Sequence, residues 1–208
     1  PVLNIPTTYA RPSMQSFEGN KICMQIPNNK IAEFCKKYSS TPFTLLLSVY
    51  YILLYKYTHQ KDIVVGSPVI GRDNANLYNI IGMFVNTLAL RINVDSSLTF
   101  EEFLKTVTTN CFTAFEHQTY PFDELLRNLN ISRDTSRNPL FDTMFTYQNE
   151  GNPKINLGNI NTTYYTPDDH SSKFDFSLEI IPENNSLNLT LEYCTKLFTE
   201  EFMQNLLL

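Results

Sequence analysis

The chain has 208 residues, of which 42% are hydrophobic, and a formal net charge of −5. This length fits one large domain or two small ones with a buried core, and the negative charge argues against a nucleic-acid groove, which needs a basic face. No run of about 18 apolar residues lacks a polar interruption, so we predict no transmembrane helix and no membrane partner.

The cysteines and histidines form no metal-binding pattern in the sequence. The four cysteines, at positions 23, 35, 111 and 194, have neither CxxC nor Cys/His ligand spacing. Scattered cysteines of this kind are typical of buried thiols in a reducing compartment, so we predict a cytoplasmic protein. The three histidines, His59, His117 and His170, lack a carboxylate or a second histidine at ligand spacing, so we predict no metal site.

The first part of the chain predicts a linker, a strand and two helices. Residues 1–19 contain three prolines and no sustained period, which indicates an extended linker that crosses a surface. A short strand is predicted over residues 21–26, and Asn28 is in position to cap the next helix. Thr41, which precedes a proline, is a stronger start signal for a helix over residues 42–58. That helix is apolar nearly all round, so we predict that it is buried on several sides.

The stretch from residue 62 to residue 92 has two apolar segments joined by a polar connection that contains glycine. Residues 63–70 are a β-branched run, which predicts a strand, and residues 83–92 alternate, which predicts a second strand. One face of the second strand carries Phe84, Asn86, Leu88, Leu90 and Ile92. Asn86 is the one polar side chain on this face, so it needs hydrogen-bonding partners.

The second half of the chain predicts three further helices, three strands and a long polar connection. A capping box at residues 99–102 predicts a long helix, Pro121 predicts the start of a shorter one, and Thr199 is predicted to cap a final helix. Strands are predicted over residues 140–148 and, as an antiparallel hairpin, over residues 174–193. The polar stretch 149–172 is long enough to expect a function or a partner for it. The sum predicts an α/β fold with five or six strands in a mixed or antiparallel sheet and flanking helices.

Catalytic patterns are absent from the sequence. The serines lack a GxSxG nucleophile elbow, and the glycines of residues 66–72 do not form a phosphate-binding loop. The pair Asp168-Asp169 lies in a stretch rich in Asn and Ser, where a solvated turn explains it better than a catalytic carboxylate pair does. Considered alone, these residues predict a soluble α/β domain, and we assign no catalytic residue.

Four stretches of the sequence carry a family resemblance. They are DIVVGSPVIGR at residues 62–72, IGMFVNTLALR at 81–91, HQTYPFDELL at 117–126 and RDTSRNPLFDTMF at 133–145. Each alone is moderately specific, but the four together, in this order and at these spacings, are highly specific. Over essentially its whole length, the chain resembles the condensation domains of non-ribosomal peptide synthetases.

The resemblance implies one half of a two-lobed fold in which each lobe is similar to chloramphenicol acetyltransferase and a tunnel lies between the lobes. In this family two carrier domains present phosphopantetheine-linked substrates, the acceptor amine attacks the donor thioester and an amide forms, in the biosynthesis of peptide antibiotics and other secondary metabolites. The implied partners are peptidyl or acyl carrier domains, an adenylation domain of the same megasynthase and the N-terminal lobe. No cofactor is implied to bind this chain directly, because phosphopantetheine is carried by the carrier domains.

The family's active-site signature, HHxxxDG, belongs to the first lobe, and this chain has no His-His pair. We therefore expect only the C-terminal lobe, over residues 20–208, with residues 1–19 as the linker from the missing N-terminal lobe. Residues 149–172 are the best candidate for the family's crossover segment. The chain opens without Met and closes on three leucines in a helical pattern, as expected of a piece of a larger polypeptide. We expect the parent to form amides and the isolated chain to be inactive.

Two residues, Asn86 and Phe84, are candidates for the wall of the substrate tunnel. Two roles stay open for Asn86, namely contact with the substrate and satisfaction of local backbone groups. Tyr120, Pro121 and Phe122 are expected to form a packed start of the shorter helix. Three arginines are expected to be structural: Arg72 and Arg91 by pairing with nearby carboxylates, and Arg137 by clamping its loop to Asp134.

Other functions of the same fold remain as alternatives. They are a degenerate lobe that only docks carrier domains, an epimerization or heterocyclization domain, and another acyltransferase such as a wax-ester or alcohol acyltransferase. The four motifs favour condensation over the last, and the sequence of residues 84–87, FVNT, is more similar to ordinary condensation domains than to the epimerization or heterocyclization type.

Overall fold

The computed structural model describes residues 1–72, 74–148, 157–163, 165 and 169–208. Within these residues the elements are β1 (Gly19–Pro27), α1 (Asn29–Tyr38), α2 (Pro42–Thr58), β2 (Asp62–Val69), β3 (Asn86–Asn93), α3 (Phe100–Glu116), α4 (Phe122–Asn128), β4 (Thr143–Tyr147), β5 (Phe176–Glu183), β6 (Ser186–Cys194) and α5 (Glu200–Leu207). A short 3-10 turn, Ala75–Leu77, lies between β2 and β3. No helix in the described ranges combines the length and the apolar composition that a bilayer span requires.

The strands form one mixed sheet in the order β1-β6-β5-β4-β2-β3. β6 is antiparallel to both β1 and β5, and β2 is antiparallel to β3, whereas β4 is parallel to both of its neighbours. β4 pairs with β5 along its whole length but, among the described residues, it is in register with β2 only where Gly66 faces Met144. The predicted mixed sheet with flanking helices is confirmed.

Helix α2 packs against the sheet at the centre of the core. Its start is fixed by Thr41, whose side chain accepts a hydrogen bond from the amide three residues further on, and by the proline that follows. Leu47 is fully buried, and the Tyr51 hydroxyl donates to the Leu90 carbonyl of β3 at 2.8 Å. The prediction that this helix is buried on several sides is confirmed, although Val49 is 50% exposed.

The starts of α1 and α3 both lie where the sequence predicts them, but only α3 has a side-chain cap. Asn28 stands at the predicted N-cap position of α1, but its backbone is helical (φ −84°, ψ −17°) and its side chain makes no capping bond, whereas a side-chain cap needs an extended backbone. The Asn28 N–H donates instead to the Asn185 carbonyl in the β5–β6 turn, at 2.8 Å. The capping box of α3 is confirmed, since Thr99 and Glu102 bond reciprocally.

Residues 1–18, which are all described and are here called the strap, contain no helix or strand. The strap runs along the segments that precede β4 and β5 and follow β6. Leu3 and Ile5 are each 5% exposed, and the Thr8 N–H donates to the Leu197 carbonyl at 2.8 Å. The extended course agrees with the sequence, and the strap is packed onto the protein along its length. That it leads to another lobe stays a prediction.

The predicted crossover segment, residues 149–172, lies in part outside the described residues, at positions 149–156, 164 and 166–168. Of its described part, Ser171 forms a β-bridge with Glu18 of the strap. A side chain on Gly19, the next residue, would overlap the Ser171 backbone, so this close approach requires glycine. The crossover role itself stays a prediction.

Candidate functional site

Asn86 stands at the start of β3 and binds the turn between α3 and α4. Its Nδ2 donates to the carbonyls of Gln118 and Tyr120, at 2.7 and 2.8 Å, and its Oδ1 accepts from the Phe122 N–H at 3.3 Å. Both N–H groups and the carbonyl oxygen of this amide therefore have backbone partners. We call this arrangement the Asn86 clamp. It fixes the turn to the sheet, and it offers no group for proton transfer.

The clamp bears on the two roles that the sequence left open for Asn86. The partners that the structure gives this side chain are backbone groups, and two of them belong to the peptide units on either side of Pro121. Sequence reasoning thus named both sides of this contact, Asn86 and the Tyr120-Pro121 pair, but not that they touch. A position on a substrate tunnel stays a prediction for Asn86.

Phe84 precedes β3 and lies against Arg72. The guanidinium carbon of Arg72 is 4.2 Å from the Phe84 ring centroid, a cation–π contact. The same guanidinium donates to the Leu77 carbonyl and, at 3.3 Å, to the Gly82 carbonyl. Arg72 therefore folds the β2–β3 connection back on itself. Its neighbour Asp73, a possible partner, lies outside the described residues.

Arg91 pairs with a carboxylate, as predicted, and the partner is Asp62 on the neighbouring strand β2. Its Nε and Nη2 donate to the two carboxylate oxygens at 2.8 and 2.6 Å, and this contact lowers the pKa of Asp62. Both side chains are exposed, so water screens the pair and its contribution to stability is small.

Pro121 is the N-cap residue of α4, and the start of that helix is packed on one side only. The Phe122 ring lies 5.6 Å from the ring of Phe141, centroid to centroid, so this aromatic pair seats the helix. Tyr120 is 47% exposed, and its hydroxyl accepts a hydrogen bond from Asn128 Nδ2. The expectation of a packed start holds for Phe122, whereas the Tyr120 ring lies at the surface.

The predicted pairing of Arg137 with Asp134 is wrong. Asp134 is exposed and accepts hydrogen bonds from the N–H and the hydroxyl of Ser136, at 2.9 and 2.7 Å, so its own turn satisfies it and lowers its pKa. The Arg137 Nη1 donates to Asp142 Oδ2 at 3.0 Å and to the Leu3 carbonyl at 3.2 Å. Asp142 is 4% exposed, and a buried carboxylate needs a counter-charge far more than an exposed one does.

A buried charge cluster was missed by the sequence analysis. Asp142 and Asp175 are 4% and 3% exposed, and each is paired with an arginine, Asp142 with Arg137 and Asp175 with Arg11. Arg11 binds both carboxylate oxygens of Asp175, one of them at 2.9 Å, and donates to the Ser136 carbonyl at 3.2 Å. Burial, together with the charge of Asp175, raises the pKa of Asp142 in spite of Arg137.

A cavity of about 720 Å³ lies between β3 and α3. It is lined by Ala89, Arg91, Lys105, Thr106, Thr109, Asn110, Thr113, Ala114 and His117. Its two permanent cations are already engaged, Arg91 with Asp62 and Lys105 with Glu101 at 3.1 Å. The three threonine hydroxyls donate to carbonyls of their own helix. Neither Asn86 nor Phe84 lines this cavity.

Metal-ligand geometry does not occur among the described residues, where no group of three or more His, Cys, Asp or Glu side chains is placed to hold an ion. All four cysteines are free. Burial raises the pKa of the Cys111 thiol to about 12, which makes it a poor nucleophile.

Comparison with known proteins gives consistent matches over the whole chain. A family profile described as "Condensation domain" matches residues 1–207. Gramicidin S synthase 2 of Brevibacillus brevis is 44% identical over 209 residues, which is 99% of this chain and 5% of that protein. The chain therefore spans a small part of this relative.

Two solved structures have the same fold. One is a four-domain nonribosomal peptide synthetase bound to AMP and glycine, with a TM-score of 0.87 and 26% identity, covering 98% of this chain and 17% of that one. The other is the condensation domain of a monacolin K polyketide synthase, with a TM-score of 0.83 and 23% identity. It covers 100% of this chain and 50% of the matched chain.

Proposed function

Because the chain belongs to the condensation domain family, we propose that it is the C-terminal lobe of a condensation domain in a non-ribosomal peptide synthetase. The observation that carries this proposal is the family match over residues 1–207. The chain also covers 50% of a solved condensation domain, as one of two lobes would. The absence of a His-His pair from the sequence supports the assignment to the lobe without the HHxxxDG signature.

The parent domain, in this proposal, joins two thioester-bound substrates by an amide bond. The acceptor amine on one carrier domain attacks the thioester carbonyl on the other, the C–N bond forms, and the donor thiol leaves. Phosphopantetheine reaches the site on the carrier domains and is not held by this chain as its own cofactor. The adenylation domain that loads a carrier and the N-terminal lobe complete the set of partners. The four free cysteines support a reducing, cytoplasmic location.

The share of this lobe in the reaction is positioning. Phe84 and Asn86 are proposed to border the tunnel, and the Asn86 clamp holds β3 and the α3–α4 turn as one rigid unit. Rigid supports of this kind matter, because a displacement of about 1 Å in the bound substrates is enough to slow a positioned reaction on the order of 100-fold. The family's HHxxxDG signature belongs to the first lobe, so in this proposal the present chain supplies no catalytic residue.

The test compares the two-lobed parent with the isolated lobe. Each is incubated with two carrier proteins loaded with aminoacyl thioesters, and the amide product is measured by mass spectrometry. We expect product from the parent and none above the enzyme-free background from the lobe. Product from the lobe alone contradicts the assignment. A parent that binds carriers without turnover supports a docking module, and one that only inverts a stereocentre supports an epimerization domain.

A further inference from the structure

Asp142 and Asp175 stand side by side, immediately before two parallel strands. The register of β4 and β5 places Thr143 opposite Phe176, and the Asp175 N–H donates to the Asp142 carbonyl at 3.0 Å. Both carboxylates are buried. Two like charges held together away from water repel each other strongly, so the pair is stable only if cations neutralise it.

The two cations come from different parts of the chain. Arg137 belongs to the loop just before β4, whereas Arg11 belongs to the strap, 164 residues away from Asp175 in sequence. With both arginines in place the four charges cancel. Without Arg11 the same site keeps two carboxylates and one guanidinium, and a net negative charge is left beneath the surface. The strap therefore supplies, through Arg11, the second positive charge that the two carboxylates before β4 and β5 need.

The strap is held at a second point by the same pair of acids. The Leu3 N–H donates to Asp142 Oδ2 at 3.0 Å, and Arg137 donates to the Leu3 carbonyl at 3.2 Å. Asp142 thus binds the strap backbone while Asp175 binds the strap side chain of Arg11. Both contacts of the strap, at Leu3 and at Arg11, are therefore with residues that lie just before β4 and β5.

β4 depends on β5 because its pairing with β2, on its other side, is short. Its described pairing with β2 is the single register contact between Gly66 and Met144, and Phe141, which precedes Asp142, fills the space over Gly66. On the core side, the Tyr50 hydroxyl holds the Thr143 side chain at 2.5 Å. The start of β4 therefore relies on its pairing with β5, because few backbone hydrogen bonds join it to β2.

We propose that the strap is an electrostatic clasp for the sheet: when Arg11 is seated on Asp175, the carboxylate pair is neutral and β4 is held against β5, and when the strap lifts, the pair repels and the start of β4 loosens. The clasp makes the position of the strap and the closure of the sheet a single coupled state. It is a conformational device of this lobe; its test rests on the proposed two-lobed parent but not on the reaction that the parent catalyses.

The test is amide hydrogen exchange, measured by mass spectrometry on the full two-lobed parent. Three variants are compared with wild type: Arg11→Met, Asp175→Asn and the double variant. We expect Arg11→Met to speed exchange at least tenfold both in the strap and in β4. The double variant should keep the strap fast but return β4 to near the wild-type rate, because one carboxylate and one guanidinium again cancel.

Controls and contradicting outcomes separate the clasp from simple loss of packing. Asp62→Asn removes a two-pronged arginine contact of similar geometry at an exposed site, and it should leave exchange in β4 unchanged. The clasp is wrong if β4 exchanges normally in Arg11→Met, or if β4 is as fast in the double variant as in the single one. If Arg11→Met does not fold, Asp175→Asn decides alone. The clasp requires fast amide exchange in the strap and slow amide exchange in β4 of this variant. Equal protection of the two segments overturns it.

Discussion

Asn86 and Asp142 are polar residues whose hydrogen-bond partners include groups that lie far away in the sequence. Asn86 binds backbone groups of residues 118–122, and Asp142 binds Leu3 and Arg137. A buried polar group has to find partners, because an unsatisfied one costs about 1–3 kcal/mol. The identity of those partners determines what each substitution does.

Replacing Asn86 with alanine removes the clamp. We expect Asn86→Ala in the two-lobed parent to lower the free energy of unfolding by about 1–3 kcal/mol, measured by urea denaturation, because two carbonyls and one N–H lose their partner. Asn86→Asp keeps the shape but turns acceptors toward two carbonyls, so it should be at least as destabilising. Asn93→Ala, at the exposed end of the same strand, is the matched control.

The same variants examine the tunnel role of Asn86. A stability loss with normal turnover per folded molecule leaves this residue as a clamp and nothing more. Turnover per folded molecule that falls tenfold or further supports a second role in positioning substrate. Unchanged stability in Asn86→Ala contradicts the clamp itself.

Asp142 predicts an unusual pH dependence of stability. Its folded-state pKa is raised above the ordinary Asp value of about 3.9, so the folded protein binds this proton more readily than the unfolded chain does. The contribution of this group to stability is therefore present at low pH and is lost as the pH rises through the raised pKa. Wild type should lose stability relative to Asp142→Asn over that interval, in denaturation measured at a series of pH values.

Asp134 is a control of opposite sign for this experiment. Hydrogen bonds from Ser136 lower its pKa, so its contribution is present above the ordinary value and is lost as the pH falls. The stability of wild type should increase relative to that of Asp134→Asn as the pH rises. If the stability of wild type also increases relative to that of Asp142→Asn with rising pH, then the effect of Arg137 on the pKa of Asp142 is larger than the effect of burial.

At the scale of elements, local signals were sufficient where the cause of a structure is local. The Thr41 and Thr99 caps and the alternation of the β5–β6 hairpin depend on residues within a few positions, and they were predicted. The position of Asn28 at the start of α1 was predicted as well, but its side chain makes no capping bond and its N–H donates to a carbonyl of a distant turn. Arg137 was assigned to the acid nearest in sequence, and the Arg11–Asp175 pair was missed, because no local pattern reports a contact across 164 residues.

One signal in the sequence points to the missed cluster. Asp142 and Asp175 each follow a phenylalanine and open an alternating apolar strand, at FDTMF and FDFSL. An Asp is almost never fully buried unless it is paired, so an acid that opens an apolar strand requires a cation if the strand is buried. The pattern therefore indicates that a partner exists, but it does not say which arginine.

Gly66 in β2 is predicted to resist substitution, because it lies against the side chain of Phe141. A Cβ on Gly66 would overlap the Phe141 ring, at the point where these strands are in register. We expect Gly66→Ala to destabilise the lobe by about 1–3 kcal/mol, the usual range for overpacking, in urea denaturation. Phe141→Leu in the Gly66→Ala background should recover part of that loss. Additive losses in the double variant would show that the ring is not what excludes the side chain.

At the scale of the whole molecule, the largest group of exposed apolar side chains belongs to the β2–β3 connection among the described residues. Its members are Ile70, Tyr78, Ile80, Ile81, Met83 and Val85, all between 48% and 102% exposed. Exposed apolar side chains concentrated on one connection in this way indicate a contact with another protein surface. In the proposed function, that surface is the N-terminal lobe of the same domain.

The isolated lobe should therefore behave differently from the parent in solution. We expect the isolated lobe to bind a hydrophobic dye several-fold more than an equal concentration of parent, and to self-associate in sedimentation. Replacing Ile81 and Met83 with serine should reduce both effects without changing the stability of the lobe. A lobe that stays monomeric at high concentration and binds no dye contradicts the assignment of this surface.

The pairing of β1 with β6 sets the order in which a ribosome can complete this fold. Gly19 faces Cys194 and Pro27 faces Ser186, so β1, which is synthesised before the other strands of this sheet, has its only described strand partner roughly 160 residues later. At a synthesis rate of about 5–20 residues per second, β1 waits roughly 10–30 s for that partner. Lys21, Cys23 and Gln25 are exposed on its outer face. A nascent strand that carries such side chains at every second position is a poor template for aggregation while it waits.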